Sequence, residues 1–201
     1  MTISATTRRR ALASAGACCT LALAASLSGA PGVTRTVVAT TPTMEAARIE
    51  YAPGAAGPIE QNGDDAVLVP VDGGIDAELE GAAVDWKQGI PILISRGAPH
   101  RLVNHSDHSV RFMEIRAIGD SPAGNDRVVE ANGATIVRST YGKYIRATVW
   151  RLERGARVEW TAEVDALIVR SQPPGSALAT RELTEASSEV EVVRVSRMAP
   201  Q

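Results

Sequence analysis

The chain has 201 residues, of which 44% are hydrophobic and 22% are charged. These proportions are typical of a globular protein and exclude a disordered chain or a fibre. The 21 Lys and Arg residues nearly balance the 23 Asp and Glu residues, but Arg8, Arg9 and Arg10 stand near the start, where no acidic residue lies. The body of the chain is therefore acidic, and nucleic acid is not an expected partner.

Residues 1–30 have the order of a secretory signal, with a positive end, an apolar stretch and a small-residue cleavage zone. Three arginines precede an uncharged stretch at 11–27, and Ser, Gly and Ala follow it at 28–30. The segment from Thr7 to Leu12 resembles the twin-arginine export signal. We therefore predict that residues 1–30 are a signal peptide and that the mature protein is exported to the periplasm or secreted.

Two other interpretations of the leading segment stay open. A membrane anchor needs about 20 apolar residues, and the stretch at 11–27 is shorter, so we expect no membrane span after signal cleavage. A lipoprotein would carry its lipid on Cys18 or Cys19. Cleavage near Ala30 would remove both cysteines and leave a mature protein without a thiol or disulfide. Residues 31–43 are predicted to be a flexible lead-in.

The body beyond residue 43 reads as an all-β protein. Short runs rich in β-formers alternate with Gly, Pro, Asn and Asp, which favours a sandwich or barrel. The predicted strands are 47–51, 66–71, 75–79, 82–86, 92–95, 101–104, 110–118, 135–140, 144–152, 156–160, 166–171 and 190–195. The run at 110–118 does not alternate cleanly, which indicates burial on both faces. Only residues 179–187 have an ambiguous helical period.

Residues 89–104, GIPILISRGAPHRLVN, carry a spaced set of residues. The spacing of Gly89, Gly97, His100 and Asn104 resembles the second conserved motif of the cupin family, and Ser95 stands where that motif has proline. The resemblance implies an all-β fold, a cupin-type jelly-roll barrel, in which His100 points inward.

The first cupin motif keeps its spacing but not its residue types. Its two glycines fall on Gly54 and Gly73, and its His, His and Glu positions fall on Glu60, Asn62 and Ala66. In metal-binding cupins these three side chains and the histidine of the second motif hold a divalent ion. One imidazole and one carboxylate make a poor metal site. The resemblance therefore implies a degenerate site, and we expect neither a metal nor another cofactor.

The other two histidines, His105 and His108, lie in a polar turn. We expect them to face solvent, with a surface metal pair as the alternative.

The chain after residue 120 repeats part of the first unit faintly. The segments YAPGA at 51–55 and DAVLV at 65–69 have echoes in LERGA at 152–156 and DALIV at 165–169. Either two hairpins match by chance, or the chain is bicupin-like with a truncated second half. We predict a cupin barrel at 44–120 and a partial second cupin-like β unit at 121–201.

The predicted function is binding of a small-molecule ligand by an exported accessory module. His100, Glu60 and Asn62 are predicted to line the pocket, and Arg96, Arg101 and Arg111 are candidates for contact with an acidic ligand group. The alternative is a cupin enzyme, either a metal-free epimerase or isomerase or a metal-dependent dioxygenase, that uses His100 and Glu60. A third interpretation makes His100 a hydrogen-bonded interior residue of a barrel without activity. The sequence leaves a homodimer open.

Overall fold

The computed structural model describes residues 30–86, 90–118, 128–160, 166–170, 176–178, 182–183 and 189–198. The predicted signal segment and most of the ambiguous stretch at 179–187 lie outside these ranges. Within them every regular element is a strand, which confirms the all-β prediction. No helix that could cross a membrane occurs in this part of the chain.

In the described ranges, fifteen strands form three antiparallel sheets. The strands are β1 (Val33–Thr40), β2 (Met44–Tyr51), β3 (Glu60–Gln61), β4 (Ala66–Asp72), β5 (Ile75–Leu79), β6 (Ala82–Trp86), β7 (Ile92–Ile94), β8 (Pro99–Val103), β9 (Val110–Ala117), β10 (Val128–Tyr141), β11 (Ile145–Trp160), β12 (Ala166–Arg170), β13 (Ser176–Leu178), β14 (Glu182–Leu183) and β15 (Val190–Arg197). The sheet orders are β1-β2-β9-β4-β7, β3-β8-β5-β6 and β10-β11-β15-β12-β13, and β14 pairs with β11.

The first two sheets enclose the core of a barrel. Ile49, Leu68 and Phe112 of the five-stranded sheet pack in one buried cluster with Trp86 and Leu102 of the four-stranded sheet. The rings of Trp86 and Phe112 meet edge to face, with centroids 5.6 Å apart, a favoured geometry for an aromatic pair. This barrel carries both motif segments.

The five-stranded sheet is buried on both faces. In β9, Phe112 belongs to the barrel core, whereas Met113 and Ile115 pack against the C-terminal sheet. In β4, Leu68 likewise belongs to the barrel core, and Val69 packs against the C-terminal sheet. Because alternate strand residues point to opposite faces, this explains why the run at 110–118 lacks a clean polar alternation. Its predicted burial on both faces is confirmed.

The C-terminal sheet covers the outer face of the five-stranded sheet. Its apolar side chains at Ile145, Val149 and Leu167 share a buried cluster with Val67 and Met113. The outer face of the barrel is therefore not exposed, since the C-terminal sheet covers its apolar side chains.

The prediction of a flexible lead-in at 31–43 is wrong for its central part. Strand β1 pairs with β2 from Val33↔Tyr51 to Thr40↔Glu45. The small and hydroxylated residues that indicated a linker include β-branched Val and Thr, which suit a strand when a partner is present. Its inward position Arg35 then enters the barrel.

Candidate functional site

The motif glycines lie in turns that need them. Gly54, Gly73 and Gly97 have φ angles of 70°, 81° and 75°, values that L side chains adopt only at a steric cost. Gly89, the fourth motif glycine, lies outside the described residues. The three turns bring β3, β4 and β8 to the barrel at the spacing that the motifs set.

Glu60 and His100 are direct cross-strand partners on β3 and β8. Partners in an antiparallel pair share one face of the sheet. Both residues line a cavity of about 90 Å³ between the two sheets of the barrel. His100 is buried and Glu60 is exposed. The structure therefore brings together two of the predicted site residues.

The hydrogen bond of His100 defines its tautomer. Nδ1 lies 3.2 Å from the carbonyl oxygen of Ala98. A carbonyl oxygen only accepts, so Nδ1 carries the hydrogen, and Nε2 of the neutral ring is an acceptor. His100 can therefore accept a hydrogen bond or a proton from a ligand.

Asn62 and Arg96 do not belong to the lining of this cavity. Asn62 is buried, and its backbone oxygen accepts a hydrogen bond from the N–H of Gly97 at 2.9 Å. Among the described residues its Nδ2 has no partner. Arg96 is exposed in the turn before β8, and its backbone N–H donates to Asp65 Oδ1 at 3.0 Å. Their ligand contacts stay predictions.

The wall provided by the five-stranded sheet holds a chain of ion pairs. Arg35 Nη2 lies 2.6 Å from Glu45 Oε1, and Arg35 Nε lies 3.0 Å from Glu114 Oε2. Glu114 Oε1 lies 2.8 Å from Arg116 Nη2. We call these four residues the charged row. Its central carboxylate, Glu114, has only 4% of its side chain exposed, and three of the four residues, all but Glu45, line the cavity.

The charged row shifts the pKa of its first arginine. Burial lowers the pKa of Arg35, but the hydrogen bonds and charges of Glu45 and Glu114 outweigh burial and raise that pKa above its ordinary value. Opposite charges therefore compensate each other within the row.

Tyr51 is the neutral donor of the cavity. It is 6% exposed, and burial, together with the negative charges of Glu60 and Glu114, raises its pKa to about 12. The phenol stays protonated at neutral pH. A Cβ on Gly57 would lie 2.6 Å from Tyr51 Oη, so only glycine leaves room for the hydroxyl at this position.

The residues at the metal-ligand positions do not fit a metal ion. Ala66 has no donor atom, Asn62 lies outside the cavity lining, and Glu114, a further carboxylate in the lining, is bonded to two arginines. Within the described ranges, no group of three or more His, Cys, Asp or Glu side chains is arranged to hold a metal. Two donors, Glu60 and His100, are fewer than a stable transition-metal site needs.

The turn histidines are exposed, as the sequence predicts. The side chains of His105 and His108 are 70% and 60% exposed, and each lies near an aspartate, Asp76 and Asp107 respectively. They lie outside the cavity lining.

Sequence reasoning missed four lining residues, Arg35, Tyr51, Glu114 and Arg116. Arg35 falls in the segment that was predicted to be flexible. Glu114 and Arg116 did leave a signal, because they fall in the same phase as Phe112 while the intervening residues Met113 and Ile115 are apolar. Charged residues in such a phase indicate a polar wall inside a barrel. Tyr51, at the end of a strand, left none.

Matches to this chain occur among solved structures. No protein-family model and no curated protein sequence matches the chain. A cupin domain from Bordetella pertussis Tohama I is 24% identical, with 44% of this chain and 96% of that chain covered and a TM-score of 0.40. The cupin domain of Schizosaccharomyces pombe Cnp3 is 17% identical, with 43% of this chain and 65% of that chain covered and a TM-score of 0.41.

A further likeness spans most of the chain. AerE from Microcystis aeruginosa is 9% identical, with 88% of this chain and 97% of that chain covered and a TM-score of 0.63. A match of this extent includes both the barrel and the C-terminal sheet. At such low identity it concerns the fold alone.

Proposed function

We propose that this chain, which has a cupin-type jelly-roll fold, binds a small molecule in the cavity of the barrel without a metal ion. We also propose that it does so as an exported binding or accessory module. The observation that carries the proposal is the pairing of two polar walls across one cavity. Glu60 and His100 lie on one wall, and the charged row lies on the other.

The energetic character of the charged row supports a ligand site. Taking ionised groups out of water is costly, and buried ion pairs can often be replaced by apolar residues with no loss of stability. Apolar residues such as the neighbouring lining residues Ile49, Leu68 and Phe112 would stabilise the fold at least as well as the charged row does. Stability alone therefore does not explain the row. The charged row can instead orient a polar ligand in a pocket whose other sides are apolar.

The leading segment supports the export part of the proposal. Three arginines, an apolar stretch and a small-residue zone precede the first strand. An exported protein would meet its ligand outside the cytoplasm, in the periplasm or the medium.

Native mass spectrometry tests the binding proposal. The full chain, purified without chelator, should carry a small molecule that His100→Ala loses and that His105→Ala keeps. His105 is the matched control because it is exposed in the turn, away from the cavity. Elemental analysis of the same sample should find no stoichiometric transition metal. A metal equivalent that is lost with His100→Ala, or a protein that carries and binds no small molecule, contradicts the proposal.

A metal-free acid–base enzyme is the second candidate, and the bond from His100 Nδ1 to Ala98 favours it. That bond leaves Nε2 as the basic nitrogen beside Glu60, which is the arrangement that proton transfer needs. The test is incubation of the co-purified molecule with the protein in D₂O. Deuterium in a C–H position of the ligand, absent with His100→Gln, would favour the enzyme over the binding module.

A further inference from the structure

Arg116 has an unused donor at the cavity. Its Nη2 bonds to Glu114, but its Nε is buried and has no hydrogen-bond partner among the described residues. Buried N–H groups in native proteins are nearly always paired. Arg116 also lines the cavity, so a ligand oxygen at this wall would satisfy the group.

The charges around Arg116 favour a negative ligand group. Glu114 is compensated by Arg35 and Arg116, so it does not repel an anion as a free carboxylate would. Glu60, on the opposite wall, has no ion pair within the described part of the chain. Tyr51 adds a neutral O–H donor, since burial keeps its phenol protonated. The wall of the charged row therefore offers donors, and the opposite wall offers the acceptors His100 and Glu60 together with the guanidinium of Arg101.

The cavity volume limits the group that enters. A buried cavity of about 150 Å³ holds benzene, with six carbon atoms, so about 90 Å³ suits a fragment of about four non-hydrogen atoms. A carboxylate and its α-carbon have this size. An α-hydroxyl would then lie toward the wall of acceptors.

We propose that the cavity recognises the carboxylate end of a small hydroxy acid, with Arg116 and Tyr51 as donors to the carboxylate and His100 Nε2 as the acceptor for the hydroxyl. This inference rests on the proposed function, because it names the ligand class of the same cavity. Guanidinium donors are well suited to planar carboxylates.

Glycolate and glycolamide are the probes, because they have nearly the same size and differ in charge. Amide shifts of Glu60, His100 and Glu114 in the ¹⁵N-labelled full chain report binding, at one ionic strength set with sodium chloride. We expect glycolate to bind at least tenfold more tightly than glycolamide. Arg116→Gln should lower the affinity for glycolate tenfold or more and that for glycolamide less than twofold.

Two further variants make the test specific. Arg111→Gln is the matched control, since Arg111 lies on the same strand and pairs with Asp72 outside the cavity lining; it should leave both affinities unchanged. Arg116→Lys keeps the positive charge for Glu114 but lacks Nε, so it should lose part of the glycolate affinity. If Arg116→Gln does not fold, as judged by circular dichroism, Arg116→Lys decides the question.

The outcomes separate this inference from the proposed function. Equal affinities for the two probes, or a glycolate affinity that Arg116 variants leave unchanged, overturn the carboxylate inference and leave small-molecule binding intact. The same holds if the co-purified molecule is uncharged and displaces glycolate. If neither probe binds and no molecule travels with the protein, the proposed function falls, and the inference falls with it.

Discussion

Asp65 Oδ2 accepts a hydrogen bond from the backbone N–H of Tyr144 at 2.9 Å. The other oxygen, Oδ1, accepts from the N–H of Arg96 at 3.0 Å. Asp65 is 1% exposed, so one buried carboxylate connects the turn before β8 with the turn between β10 and β11. The connection joins the motif-bearing barrel to the C-terminal sheet.

Replacing Asp65 by asparagine should destabilise the whole chain. An amide turns one acceptor oxygen into a donor, which then faces a backbone N–H and leaves it unpaired. A buried unsatisfied donor costs about 1–3 kcal/mol, and we expect a loss of this size in the free energy of unfolding measured with urea. Asp64→Asn, on the partly exposed neighbour, is the control. Equal effects of the two variants would contradict the role of Asp65.

Glu114→Gln should reveal how strongly the charged row depends on its central carboxylate. The neutral amide leaves Arg116 without its carboxylate partner and leaves Arg35 paired with Glu45 alone. Breaking a fully buried pair costs about 3–5 kcal/mol; because Arg116 is 34% exposed, water screens part of the effect, and we expect about 2 kcal/mol. Glu191→Gln, which removes an exposed pair with Arg151, should cost about 1 kcal/mol or less. If Glu114→Gln lowers the free energy of unfolding no more than Glu191→Gln does, the charged row does not depend on its central carboxylate.

Gly57→Ala should disturb the cavity through Tyr51. The new Cβ would meet Tyr51 Oη at 2.6 Å, and the ring cannot withdraw freely because it packs on Phe112 with centroids 5.7 Å apart. Overpacking of this kind costs about 1–3 kcal/mol, and ligand affinity should fall with it. Gly63→Ala is the control, since no atom lies within 4 Å of its added Cβ. Thermal unfolding and ligand titration of both variants give the comparison, and matching results would rule out the contact.

The barrel and half of the site follow from sequence patterns, and the rest depends on contacts between distant residues. The spacing of Gly54, Gly73 and Gly97 places their turns because only glycine tolerates positive φ there. The same spacing predicts that Glu60 and His100 meet. The position of Arg35 in the cavity was not predictable from the sequence. The strand that carries it forms because it pairs with β2, and no local pattern in small polar residues indicates that pairing.

The packing of the C-terminal sheet on the five-stranded sheet was also predictable only in part. The burial of both faces of β9 follows from large apolar residues in both phases of the strand, with Phe112 on one face and Met113 and Ile115 on the other. Asp65 resembles any turn aspartate in the sequence, because its partner Tyr144 lies far along the chain. Long-range hydrogen bonds of this kind become visible only when the sheets are packed.

Alkaline pH should destabilise the protein through Tyr51. Burial and the charges of Glu60 and Glu114 raise its pKa to about 12 in the folded state, whereas the unfolded phenol ionises near 10. The folded state then holds the proton more tightly, so this contribution to stability is complete below pH 10 and is lost between about pH 10 and pH 12. The loss amounts to about 1.4 kcal/mol per pH unit. The unfolding free energy of the protein should therefore fall relative to that of Tyr51→Phe as the pH rises through this interval, because the variant has no phenol to ionise. Absorbance titration should show one phenol that ionises near pH 12 and is missing from Tyr51→Phe. A difference between protein and variant that stays constant from pH 9 to pH 12 would show that the Tyr51 phenol ionises as easily in the folded chain as in water.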